Sequence, residues 1–133
     1  MKKLQGYNFS RKFYGERAPQ HVQNIVIRDY CLKNGYVMRM SATEYAIPGS
    51  AMILKQIVNN MAAIDGIVAY SVLQLPECRR VRSDVISKVI KNGKEFHFAV
   101  EGLIIYDEMS AQKIEMLMDL KKEELVWDSE NKK

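Results

Sequence analysis

The chain is poor in the residues that staple a fold, cross a membrane or mark a site by themselves. Its two cysteines, Cys31 and Cys78, stand far apart, with no CxxC or Cys/His spacing. That pattern excludes a disulfide framework or a zinc motif and fits reduced thiols in a reducing compartment. Three prolines and seven glycines leave no linker. No apolar run approaches the roughly 18–20 residues of a bilayer span, so no membrane partner is expected. The opening "MKKLQGYNF" has two lysines but no apolar stretch before Tyr7, so no secretory signal is read and a cytoplasmic location is expected. There is no P-loop, GxGxxG, HExxH or GxSxG. Nucleotide hydrolysis, dinucleotide redox chemistry and zinc hydrolysis therefore have no motif, and neither metal nor cofactor is predicted.

What remains is a chain of 133 residues, 47% hydrophobic and 27% charged, long enough to bury an ordinary core. Apolar patterning alternates between strands and helices. Strands are expected at Leu4–Phe9, Tyr36–Met40, 65–73 and Glu95–Glu101, with a short fifth in "GLIIYD". Helices are expected after Pro19, after Ser50 as N-cap, over Arg79–Ile90 and over Ser110–Glu124. The third strand, "DGIVAYSVL", is apolar almost throughout, as suits a parallel strand covered on both faces. The reading is a single α/β domain over 1–128, with a disordered tail over 129–133. It is a three-layer, flavodoxin-like or resolvase-like domain with a mostly parallel sheet of order 2-1-3-4 and an antiparallel edge strand near Leu103–Tyr106.

In such sheets ligands sit beyond the carboxyl ends of the strands, where the order reverses between strands 1 and 3. Two basic loops flank that point: "SRKFYGERAPQ" with Arg11 and Arg17, and "LQLPECRRVR" with Arg79, Arg80 and Arg82. Cations at a helix start oppose the helix dipole by roughly 0.3–1 kcal/mol each, and a bound anion would reverse that sign. The alternative is that these arginines fan into water or pair with carboxylates. Gln20, Gln23 and Gln74 can bond a sugar hydroxyl or a base edge, or simply be surface amides. Tyr45 lies beside them. For chemistry the candidates are Ser10 as nucleophile, Glu44 or Glu101 as general base, and His97 as proton shuttle. No local base serves Ser10, and His97, between Phe96 and Phe98, also reads as a satisfied core histidine.

Two resemblances follow. "GYNFSR", "QHVQNIVIRDYCLKNGY" and "LKQIVNNMAAIDGIVAYSVLQL", in order across roughly residues 5–105, resemble the catalytic domain of serine recombinases. The resemblance implies the fold. Its chemistry does not carry over, because Phe9 and Arg11 stand where the family's Tyr-x-Arg-x-Ser motif has arginine and serine, and Leu73 and Gln74 replace its Asp-Arg pair. The helix-turn-helix domain that recombinases need for site recognition is also not read in this sequence. More closely, "GYNFSR", "ERAPQHVQN", "IRDYC", "SATEY", "VAYSVLQLP" and "HFAVEG" look like the sporadic carbohydrate cluster family, encoded among bacterial surface-polysaccharide genes such as those for O-antigen.

That second resemblance implies a role in surface-polysaccharide biosynthesis, binding or acting on a phosphorylated or nucleotide-activated sugar at the crevice. The alternative is a non-catalytic dimeric scaffold or regulator with a degenerate resolvase-like fold. A homodimer is expected through the last helix, on Met109, Met116, Leu117, Met118 and Leu120. The formal charge of +4 is mild, and nucleic acid is set aside as a partner.

Overall fold

The computed structural model describes residues 1–12 and 18–131, with side chains through 124. Arg17 and the last two residues of the expected tail lie outside the described residues. Among the described residues the elements are, in chain order, β1 (Lys3–Phe9), α1 (Gln20–Lys33), β2 (Val37–Glu44), α2 (Met52–Val58), β3 (Gly66–Ala69), a 3₁₀ turn (Val72–Gln74), α3 (Arg79–Lys91), β4 (Glu95–Phe98), β5 (Leu103–Ile105) and α4 (Glu108–Asn131).

The sheet runs β2-β1-β3-β4-β5. Its first three pairings are parallel and the last, Phe96–Phe98 against Leu103–Ile105, is antiparallel. The chain leaves β1 in one direction to make β2, then returns past it to β3 and β4. Right-handed crossovers in opposite directions put their helices on opposite faces. Accordingly α1 alone packs Ile27 and Cys31 on Leu4 and Val68. On the other face α2, α3 and α4 bury Leu54, Val58, Val85, Val89, Ile114 and Met118 against Tyr7, Phe9, Ile67, Phe96 and Phe98.

Three local departures from expectation have physical causes. Strand β2 is longer than its apolar stretch because a bulge opposite Gly6 shifts its register between Gln5 and Tyr7. A Cβ on Gly6 would run into the Ser41 hydroxyl and backbone, so glycine is what lets the bulge fold in. Strand β3 stops at Ala69 rather than Leu73, because Ser71 caps the 3₁₀ turn by accepting from the Leu73 N–H. Helix α2 is capped by Ala51 and not by Ser50. The carboxylate of Glu44 takes over that task.

Candidate functional site

At the carboxyl ends of β1 and β3 the strands part, and their last backbone groups need partners from elsewhere. Gln23 of α1 and Gln74 of the 3₁₀ turn supply them. Both side chains are buried. The Gln23 amide accepts from the Phe9 N–H at 3.0 Å and donates to the carbonyls of Phe9 (2.8 Å) and Ala18 (2.7 Å). Gln74 accepts from the Tyr70 N–H at 2.9 Å and donates to the Gln23 oxygen at 2.6 Å. Two amides thus continue the sheet's hydrogen bonding across the point where an open crevice was expected.

Glu44, buried at the end of β2, accepts five hydrogen bonds. They come from the Tyr7 and Ser50 hydroxyls and from the N–H groups of Tyr45, Ile53 and Leu54, at 2.8–3.2 Å. It therefore satisfies the start of α2 and fastens it to β1. Burial, and then the neighbouring carboxylate, push the Tyr7 hydroxyl far above the ordinary tyrosine range. Glu101 holds the 3₁₀ turn in the same way, through the Ser71 hydroxyl at 2.8 Å and the Val72 N–H at 3.0 Å.

The arginines divide. Arg11 lies over the Phe9 ring at 4.1 Å and donates to the carbonyls of Tyr45 (2.9 Å) and Ser50 (3.0 Å), clamping the β2–α2 loop onto the end of β1. Arg82, only 1% exposed, forms a two-pronged pair with Glu115 of α4 at 2.6 and 2.8 Å. It also donates to the carbonyls of Pro76 and Glu77. Its hydrogen bond holds the Glu115 carboxyl below the ordinary range. Arg79 is exposed and reaches Asp119 at 3.5 Å. Arg80 is exposed and has no ion pair among the described residues. Arg11 and Arg79 thus have separate partners, two loop carbonyls for the first and Asp119 of α4 for the second. Ser10, Gln20 and Tyr45 are exposed on the same edge.

His97 lies on the α1 face of the sheet, away from that edge, and is fully buried. Its Nε2 meets the Glu95 carboxylate at 2.9 Å and its Nδ1 meets the Tyr30 hydroxyl at 2.6 Å. A carboxylate only accepts, so Nε2 carries the proton and Nδ1 accepts from Tyr30. Burial pushes the imidazole below its ordinary value, and the Glu95 hydrogen bond opposes this without reversing it. The contact at neutral pH is therefore a hydrogen bond of a neutral ring and not an ion pair. Lys2 closes the chain on Glu95 at 2.6 Å.

Tyr30, Glu95 and Glu115 were not singled out as site residues in the sequence, and Tyr7 entered only as the match to the tyrosine of Tyr-x-Arg-x-Ser, although each completes a group that was. Tyr7 could have been found from its inward position beside Phe9 in β1. Glu95 stands two residues before His97, on the same face of β4, which is a local signal; Tyr30 and Glu115 are partnered across the fold and have none. Of the apolar residues expected to make a dimer, Met118 is in the core and Leu117 packs against it, while Met109, Met116 and Leu120 are exposed. No helix among the described residues is long and apolar enough to cross a membrane.

No family model matches the chain, and no curated protein matches it. Its fold matches the N-terminal catalytic domain of TP901-1 integrase with a TM-score of 0.61 at 17% identity, over 92% of this chain and 96% of that one. It also matches a resolvase family site-specific recombinase from Streptococcus pneumoniae with a TM-score of 0.52 at 9% identity, over 95% and 93% of the two chains. The recombinase resemblance is therefore real at the level of fold, and the likeness to sporadic carbohydrate cluster proteins has no support. This corrects the expected function and partners. The structural neighbours are an integrase catalytic domain and a resolvase family recombinase, which overturns both the polysaccharide assignment with its phosphosugar ligand and the setting aside of nucleic acid.

Proposed function

We propose that this chain works in DNA recombination or a related DNA transaction, as a resolvase-fold domain that engages the phosphate backbone without cutting it. The observation that carries the reading is the fold, which is shared with recombinase catalytic domains over nearly their whole length. The carboxyl edge of the sheet is compatible with phosphate contact. Lys12 and Arg80 are exposed there, and no acidic residue occupies the first turn of α3.

Strand cleavage needs a nucleophile whose hydroxyl is activated and cations free to hold the phosphate. At the serine and arginine positions of the family's first-strand motif stand Arg11 and Phe9, and Arg11 is spent on two loop carbonyls. Ser10 has an exposed hydroxyl but no general base beside it among the described residues.

Fluorescence anisotropy of a labelled 30-base-pair duplex tests the binding half of this reading. With two or three phosphate contacts, log K should fall against log salt with a slope of about −2 to −3. Changing Arg80→Glu together with Lys12→Glu should weaken binding about tenfold or more and flatten the slope. Affinity that ignores both salt and these substitutions would overturn it.

A further inference from the structure

The outer edge of β2 is open. Strand β2 ends the sheet order, and no described element pairs with its far side. Edges of this kind are usually blunted by proline, lysine or a covering loop. This one has no proline or lysine, and it exposes Val37 at 40% and Met40 at 91%.

Grooves lie on both faces of the same edge. On the α1 face a groove of about 580 Å³ is floored by Met1, Leu32, Met38 and Met40, with Arg28 and Ser41 as polar lining. On the α2 face a groove of about 350 Å³ is floored by Ile53, Ile57 and Ile64, with Arg39 in its lining. No acidic side chain lines either groove. Among the described residues neither Arg28 nor Arg39 has an ion-pair partner, whereas Lys33, Arg79 and Lys88 pair with Asp29, Asp119 and Asp84. The Ser41 hydroxyl, buried beside Gly6, has no hydrogen-bond partner among the described residues.

An open strand with a pocket and a cation on each face matches what strand addition requires. Main-chain hydrogen bonds hold the added segment, and its alternate side chains enter the two pockets. Methionine-floored grooves adapt readily to such side chains. The charge pattern chooses the occupant. Two copies of this edge would set arginines against arginines, which disfavours self-pairing. The bulge at Met40–Ser41 interrupts the ladder and keeps the edge from templating an open-ended sheet. We infer that β2 docks one extended acidic segment of a partner protein, its apolar side chains in the two grooves and its carboxylates on Arg28 and Arg39.

The test uses the whole chain and a fluorescein-labelled peptide of five Val-Glu repeats, with five Val-Lys repeats and a Val-Glu peptide interrupted by a central proline as controls. The acidic repeat should bind at least tenfold tighter than either control. The Arg28→Glu, Arg39→Glu double variant, with both sites exposed and its fold checked by circular dichroism, should lose at least tenfold. Backbone amide shifts should centre on Val37–Glu44. The Lys12→Glu, Arg80→Glu variant should bind the peptide as the wild type does, so this inference and the DNA reading fail separately. Equal binding by wild type and the Arg28/Arg39 variant, or shifts centred elsewhere, would overturn it. So would a dimer in light scattering that Met40→Lys dissociates, since the edge would then belong to a second copy.

Discussion

The side chains of Gln23 and Gln74 meet at 2.6 Å beneath the point where β1 and β3 separate, and between them they bond the ends of both strands. An amide is the right group here, because it offers donors and an acceptor in one plane. Replacing Gln23 with leucine keeps the volume and removes its hydrogen bonds to the Phe9 N–H and to the carbonyls of Phe9 and Ala18 in a buried setting. A buried group left unpaired costs about 1–3 kcal/mol. Urea unfolding of Gln23→Leu should show a loss of about 2–4 kcal/mol with an unchanged m-value. The Gln74→Leu variant should lose less, and the double variant less than the sum. Additive losses would mean that the two amides act independently.

The Arg82–Glu115 pair ties α3 to α4 and is lopsided. Arg82 is buried, whereas Glu115 keeps a quarter of its side chain in solvent. Removing the carboxylate leaves a buried cation, a change that typically costs about 3–5 kcal/mol. Removing the arginine leaves a carboxylate that can still reach water. Glu115→Ala should therefore destabilise more than Arg82→Met in thermal unfolding. Because the Glu115 pKa is held down by the Arg82 hydrogen bond, its contribution is present above the ordinary carboxylate value of 4.5 and fades as the pH falls through the folded value. The reverse order of the two variants would assign the burial energy to the wrong partner.

His97 predicts a second pH dependence, at milder acidity. Its folded pKa lies below the ordinary 6.5, chiefly through burial. As pH falls below 6.5 the unfolded chain takes up the proton first, so the stability that neutral His97 contributes above that value is progressively lost. The Glu95 carboxylate titrates at still lower pH. Burial raises Glu95, but hydrogen bonds from Lys2 and His97 outweigh this and hold it below 4.5. Unfolding midpoints measured between about pH 7 and about pH 5.5 should fall for the wild type and stay flatter for His97→Asn. Parallel slopes would place the titration on another group.

Much of the fold could be read from alternating patterns, and the strand order followed from right-handed crossovers acting on them. The site was legible only as an inventory. Glutamines at a strand end look the same in a sequence whether they face a ligand or the chain's own backbone, and only the register of β1 and β3 decides. Arg82 did carry a local signal. It lies three, four and seven residues before Val85, Ile86 and Val89, on the buried stripe of α3, so its charge had to find a partner inside. That partner, Glu115, is 33 positions away, beyond any periodicity. The longer β2 came from a bulge that depends on the missing side chain of Gly6, a relation between two strands and not within one.

The central claim is a resolvase-fold domain that holds DNA and does not cut it. One gel assay on supercoiled plasmid reads both halves directly, run first under native conditions and then after addition of SDS. The account predicts a salt-sensitive shift in the native gel. After SDS the plasmid should still be supercoiled and free of protein. Absence of a shift even at low salt would contradict the binding claim, and an SDS-stable protein–DNA adduct that disappears in Ser10→Ala would contradict the claim that the domain does not cleave.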